Sequence, residues 1–180
     1  MERRAAVLIS PCILSPGFQA SPKLGRHWGY PFILLLMQYG VDIIPLPCSE
    51  SMFGGLNVGL RRKPHGVKYY ETLNGYIEHC EKLASDVVKQ MVQMRAGGYQ
   101  FLCILGVENS PSCAVNHIYS NKGTLTRKGV FFHLLENELL RSHFNIQFIG
   151  ILRRSNSPSA YTKLERLLKD WSRTKKGDNS

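Results

Sequence analysis

The sequence predicts an α/β fold, a three-layer Rossmann-like arrangement with a mostly parallel sheet of about four strands. Three observations carry this. Short apolar runs alternate with longer amphipathic segments in the order βαβαβαβα. One run, QFLCILGV over 100–107, is apolar throughout, as a central parallel strand covered on both faces must be. The 180 residues show no internal repeat and no linker long enough to divide them, which suits one domain with a sizeable core.

The elements follow in order. AAVLIS (5–10) is the first strand. HWGYPFILLLMQYG (27–40) reads as a helix, with Pro31 near its start, where a missing N–H costs nothing, and Gly40 as its stop. VDIIPLP (41–47) is the second strand, and a loop rich in glycine and basic residues occupies 48–68. A long helix is expected from about 69 to 96, ending at Gly97-Gly98. Its Leu73, Ile77, Cys80, Ala84, Val87, Met91 and Met94 recur at three and four, as one buried stripe requires. After the third strand, a loop leads to a helix at about 127–142 with Phe131, Leu135 and Leu139 on one face. IQFIGILR (146–153) is the fourth strand, and SNSPS offers caps for a last helix over 158–173. A single domain is expected over 1–175, with a disordered tail at 176–180.

The longest apolar stretch, Phe32 to Met37, is far too short to cross a bilayer. The charged N-terminus is followed by an apolar run that stops at Ser10-Pro11 without a cleavage-site pattern. It reads as a strand of a cytoplasmic protein rather than a signal peptide. A net charge of +10 favours an anionic partner such as nucleic acid, a nucleotide or an anionic cofactor. A merely solvated basic surface accounts for the charge equally well.

Five cysteines, an odd and sparse set, suit reduced thiols better than a disulfide scaffold. Cys80 falls on the helical stripe and Cys103 inside the third strand, and both are explained as small buried hydrophobes. The other three are different. Cys12 follows the first strand in LISPCILSPG, Cys48 the second in IIPLPCSE, and Cys113 the third in LGVENSPSC. In a parallel sheet those strand ends share one edge, where such folds place their ligands. Three convergent thiolates suit a soft metal or an iron–sulfur cluster. Zinc is the rival, with His117, four residues beyond Cys113, as its fourth ligand. Three unconnected loop cysteines remain the plain alternative.

Other chemistries find no motif. The first loop lacks G-x-G-x-x-G, no P-loop is present, and GGLNVGL (54–60) matches neither phosphate pattern. Ser110 and Ser112 do not sit in G-x-S-x-G and suit turn formation and capping. Glu50, two residues after Cys48, is placed to move a proton or position a water beside a metal. Arg61, Arg62, Lys63 and Lys68 lie in one loop beside the same edge. There, Arg61 and Lys63 are candidates for attracting an anionic substrate.

Taken in order, SPCIL, IPLPCSE with GL.RKPHG.KYY after it, and GVENSPSCAV resemble the thiouracil desulfurase family and its relatives. The resemblance runs from about residue 5 to 153. SPSC after a strand, combined with C-x-E after the preceding one, is its most specific part. It implies a [4Fe-4S] cluster held by Cys12, Cys48 and Cys113, with one iron free of protein. It also implies Glu50 as catalytic base and proton donor and Ser110 as the catalytic serine, with Ser112 the second choice. The chain departs from the family in having Ser49 where proline is common and Ala114 where glycine is common, and in its first loop. The expected reaction replaces sulfur by oxygen on a thiolated base or nucleoside such as 2-thiouracil, without electron transfer. Thiolated tRNA is a further substrate the charge would allow, although no RNA-binding motif is visible. Two other readings stay open: a non-enzymatic metal-binding or redox-sensing module, and a nucleotide-handling transferase or hydrolase with incidental thiols.

Overall fold

Four β-branched and leucine-rich runs form the central sheet: Arg4–Ile9 (β1), Asp42–Pro45 (β2), Tyr99–Val107 (β3) and Gln147–Ile151 (β6). The computed structural model describes residues 4–18, 28–53, 65–120, 122–153 and 157–177. All pairings in this sheet are parallel, in the order β2-β1-β3-β6. The chain steps outward from β1 to β2, then crosses back to lay β3 on the other side of β1. That reversal opens a crevice beyond the carboxyl ends of β1 and β3, the switch point of a doubly wound sheet.

Helices cover both faces. Tyr30–Gln38 (α2) and Pro158–Gly177 (α7) lie on one side, where Phe32, Leu36, Leu164 and Leu168 pack against Val7, Ile9, Leu105 and Val107. Val67–Thr72 (α4), Tyr76–Ala96 (α5) and Val130–Arg141 (α6) lie on the other, closing over Leu8 and Ile104. Alternate residues of β1 thus enter opposite cores, as a strand buried on both faces demands. Leu102 is the extra residue of a bulge, since Ala6 pairs with Phe101 and Val7 with Cys103. It therefore joins the same core as its neighbour Cys103.

The long helix expected over 69–96 is two helices. Gly75 adopts φ +79°, a left-handed conformation that breaks the run between α4 and α5. The Asn74-Gly75 pair is the turn signal for it. Two short helices occupy loops read as irregular, Pro11–Leu14 (α1) after β1 and Ser49–Met52 (α3) after β2. A two-stranded antiparallel hairpin, His117–Ser120 (β4) with Gly123–Thr126 (β5), lies in the loop before α6 and was not expected. The last helix continues past 173 to Gly177, into the segment read as tail. Among the described residues, no helix is long and apolar enough to cross a membrane.

Candidate metal centre and active site

Each of the three loop thiols is set at the carboxyl edge by a short, rigid device. Cys12 lies in α1, directly after β1, and its thiol donates to the Phe18 carbonyl at 3.4 Å. Gly29 admits this segment closely: a Cβ there would stand 2.1 Å from the Ile13 carbonyl oxygen. Cys48 is the residue that opens α3, and it is buried. Cys113 closes a tight turn in which Ser110 Oγ accepts the backbone N–H groups of Ser112 and Cys113 at 3.3 and 3.1 Å. The Cys113 carbonyl in turn accepts the Val107 N–H, which ties the turn back to β3.

The thiols belong to one neighbourhood. Burial pushes the Cys113 thiol well above the usual thiol range, and the charges of Cys48, Cys12 and Glu50 push it further. The Ser10 hydroxyl opposes that rise. Three other groups that can carry negative charge thus lie near enough to bear on the buried Cys113 thiol. Burying them together is unfavourable without a cation to share. Ser10 adds a second sign of an absent partner. Its hydroxyl is buried, does not cap α1, and makes no hydrogen bond of good geometry among the described residues. A buried hydroxyl beside the Cys113 thiol is placed to donate to a thiolate sulfur once a metal has taken the thiol's proton.

Among the described residues, no set of three His, Cys, Asp or Glu side chains could hold a metal ion. His117, the expected fourth zinc ligand, sits exposed on β4, and its backbone N–H donates to Glu108 at 3.0 Å. Cysteine thiolates are the usual ligands of iron–sulfur clusters.

Glu50 lies in the first turn of α3 and is buried, with Tyr70 Oη donating to its Oε2 at 2.8 Å. Ser112 is fully buried and its Oγ is 2.8 Å from Tyr76 Oη. Ser110 is buried as well, and the bonds in its turn use its oxygen as an acceptor. Arg61 and Lys63 lie outside the described residues.

Sequence reasoning missed three residues that hold this edge together. Tyr70 fixes Glu50, and Tyr76 Oη also lies 3.0 Å from Ser49 Oγ. Both tyrosines were invisible while α4 and α5 were read as one helix, because the break at Gly75 resets the helical phase. Glu108, buried at the end of β3, accepts both N–H groups of Asn116, backbone and side chain, and the backbone N–H of His117. It also lies over Gly150, where a Cβ would meet its Oε1 at 1.8 Å. A buried carboxylate clamping the segment after Cys113 is a structural brace, legible only as a glutamate at a strand end.

No family model matches the chain. Over 104 residues it is 34% identical to an uncharacterised protein of Methanocaldococcus jannaschii, a match that takes in 58% of this chain and 58% of that protein. The chain thus spans about 58% of the length of the curated relative it matches. A solved structure of the [4Fe-4S]-dependent thiouracil desulfidase TudS superposes with a TM-score of 0.54 at 16% identity, covering 91% of this chain and 99% of that one. This chain has the fold of a thiouracil desulfidase. The three-layer arrangement with a parallel sheet of four strands is the one expected from the strand–helix alternation. That neighbour is an enzyme, and its name gives both its cluster and its substrate.

Proposed function

We propose that this chain removes sulfur from a thiolated nucleobase of the 2-thiouracil kind, using a [4Fe-4S] cluster held by Cys12, Cys48 and Cys113 with one iron free of protein. The observation that carries the reading is that Cys12, Cys48 and Glu50 lie close enough for their charges to bear on the buried Cys113 thiol. The desulfidase fold supports it. When bound, such a cluster supplies a soft Lewis acid for a thiocarbonyl sulfur.

The chain's own residues do the rest. Glu50, held by Tyr70, takes a proton from the water that attacks the sulfur-bearing carbon and returns it to the departing sulfur. Ser110 orients the substrate. Ser112, whose hydroxyl is engaged by Tyr76, is the weaker choice for that role. Arg61 and Lys63 attract an electron-rich base toward the crevice, and a cytoplasmic setting keeps the thiols reduced. Water provides the oxygen and both protons, and sulfur leaves as hydrogen sulfide. No electrons are exchanged, so neither flavin nor nicotinamide is needed.

The test is anaerobic reconstitution with iron and sulfide. About four of each per chain are expected, with loss of both in Cys113→Ser. Glu50→Ala should keep the metal and lose turnover of 2-thiouracil by a factor of at least about 100. Full iron in Cys113→Ser would refute the ligand set. Iron without turnover of any thiolated base in the wild type would leave a metal-binding module.

A further inference from the structure

Cys48 and Cys113 leave strands that are not neighbours, because β1 lies between β2 and β3. No ladder of the sheet joins their two strands directly. A side chain from a helix joins their loops. Tyr76, at the first turn of α5, is fully buried, and its Oη lies 3.0 Å from Ser49 Oγ and 2.8 Å from Ser112 Oγ. Ser49 follows Cys48 and Ser112 precedes Cys113, so one phenol spans the residues adjoining two of the proposed ligands. Both serines are themselves buried. The three hydroxyls form a buried chain, Ser49–Tyr76–Ser112, with the phenol as its middle link.

We propose that Tyr76 is a positioning residue for the metal centre: its hydroxyl sets the separation of the Cys48 and Cys113 loops that a bound cluster requires. The inference rests on the cluster reading given above. Three further contacts support it. The Tyr76 ring is wedged edge-on against Phe53 at 5.3 Å between centroids and tilted against Tyr70 at 5.2 Å, so the hydroxyl has little freedom to move. His79, one turn along α5, donates from Nε2 to the Ser49 carbonyl at 3.1 Å and holds the same loop from its backbone. Burial, followed by the charges of Cys80 and Glu50, raises the Tyr76 pKa, so the phenol keeps the proton that one of its two bonds needs. Groups of this kind, one step behind metal ligands, commonly govern how long a metal is held.

The experiment compares wild type, Tyr76→Phe, the pair Ser49→Ala with Ser112→Ala, and the triple variant. Phenylalanine fills the same space and removes only the hydroxyl. Each protein is loaded with iron and sulfide without oxygen, then challenged with an iron chelator, and its release rate is followed by visible absorption. The metal-free forms are unfolded in urea alongside. Tyr76→Phe is expected to load and then release iron on the order of 10-fold faster than wild type. Adding it to the serine pair should change nothing further, since the partners are already gone. Wild-type release rates in Tyr76→Phe would overturn the brace and leave the cluster reading standing. So would an additive loss in the triple variant, or a change confined to urea stability. A wild-type chain that takes up no iron overturns the cluster reading and the brace with it.

Discussion

Cys103 shows what happens to a thiol that has no metal role. It is fully buried in β3, and burial pushes its pKa from 9.0 up to about 12, with Lys163 drawing it down slightly. Its folded value lies above its unfolded one, so the neutral thiol supports the fold fully below about pH 9, and that support is lost as pH climbs toward about 12. At pH 10 the loss is about 1 kcal/mol. Cys103→Val should therefore flatten the fall of urea-derived stability between about pH 8 and pH 10; an unchanged slope would show that this thiol does not titrate with unfolding. Cys80 and Cys103 were legible as core residues because each sits on an apolar run. Cys12, Cys48 and Cys113 were legible as residues at strand ends because each had been carried just past a strand. Tyr70, Tyr76 and Glu108 were not legible. Their importance lies in partners that sit far away in sequence, and a tyrosine on an apolar stripe looks the same whether or not its hydroxyl is bonded.

The elements that place the site depend on a few glycines, which allow backbone segments to touch. Gly129, just before α6, sits so close to the Cys113 turn that a Cβ would lie 2.4 Å from the Ser112 carbonyl carbon and 2.7 Å from the Cys113 nitrogen. Both are backbone atoms, so a rotamer change cannot relieve the clash. Gly129→Ala is expected to lose about 1–3 kcal/mol by overpacking and to take up less iron, because the displaced turn carries a proposed ligand. Urea unfolding and iron content test this together. Normal values for both would show that α6 can slide away freely. Strands and most helices were readable from periodicity, since an apolar face must repeat with the geometry of its element. The α4–α5 break was signalled by Asn74-Gly75 and was overridden by the strong stripe on either side. The β4–β5 hairpin escaped because its strands are short and half exposed, with β5 exposed throughout, so it shows no clear alternation.

At the scale of the whole molecule, the order β2-β1-β3-β6 brings three distant loops to one edge. A group bound by all three stabilises the native state and not the unfolded chain. The loaded protein is expected to melt higher than the metal-free form by roughly 10 °C when the cluster is held tightly. The gain should vanish in Cys113→Ser, and equal melting of loaded and metal-free wild type would show that the site is not shared among the three loops. Calorimetry on both forms makes the comparison. The fold class was the most legible feature of all, because alternation of strand and helix leaves few arrangements open. The candidate metal centre was less so, since it depends on which strand lies beside which.

The same strand order sets a clock for maturation. During synthesis the segments bearing Cys12 and Cys48 emerge first, while the place beside β1 that β3 will take is still empty. A metal donor arriving then would meet two thiols on an unfinished edge, with Ser112, the far anchor of Tyr76, not yet made. On the proposed ligand set, cofactor insertion would follow completion of the sheet, and the quantity of iron a preparation accepts would double as a count of correctly finished molecules.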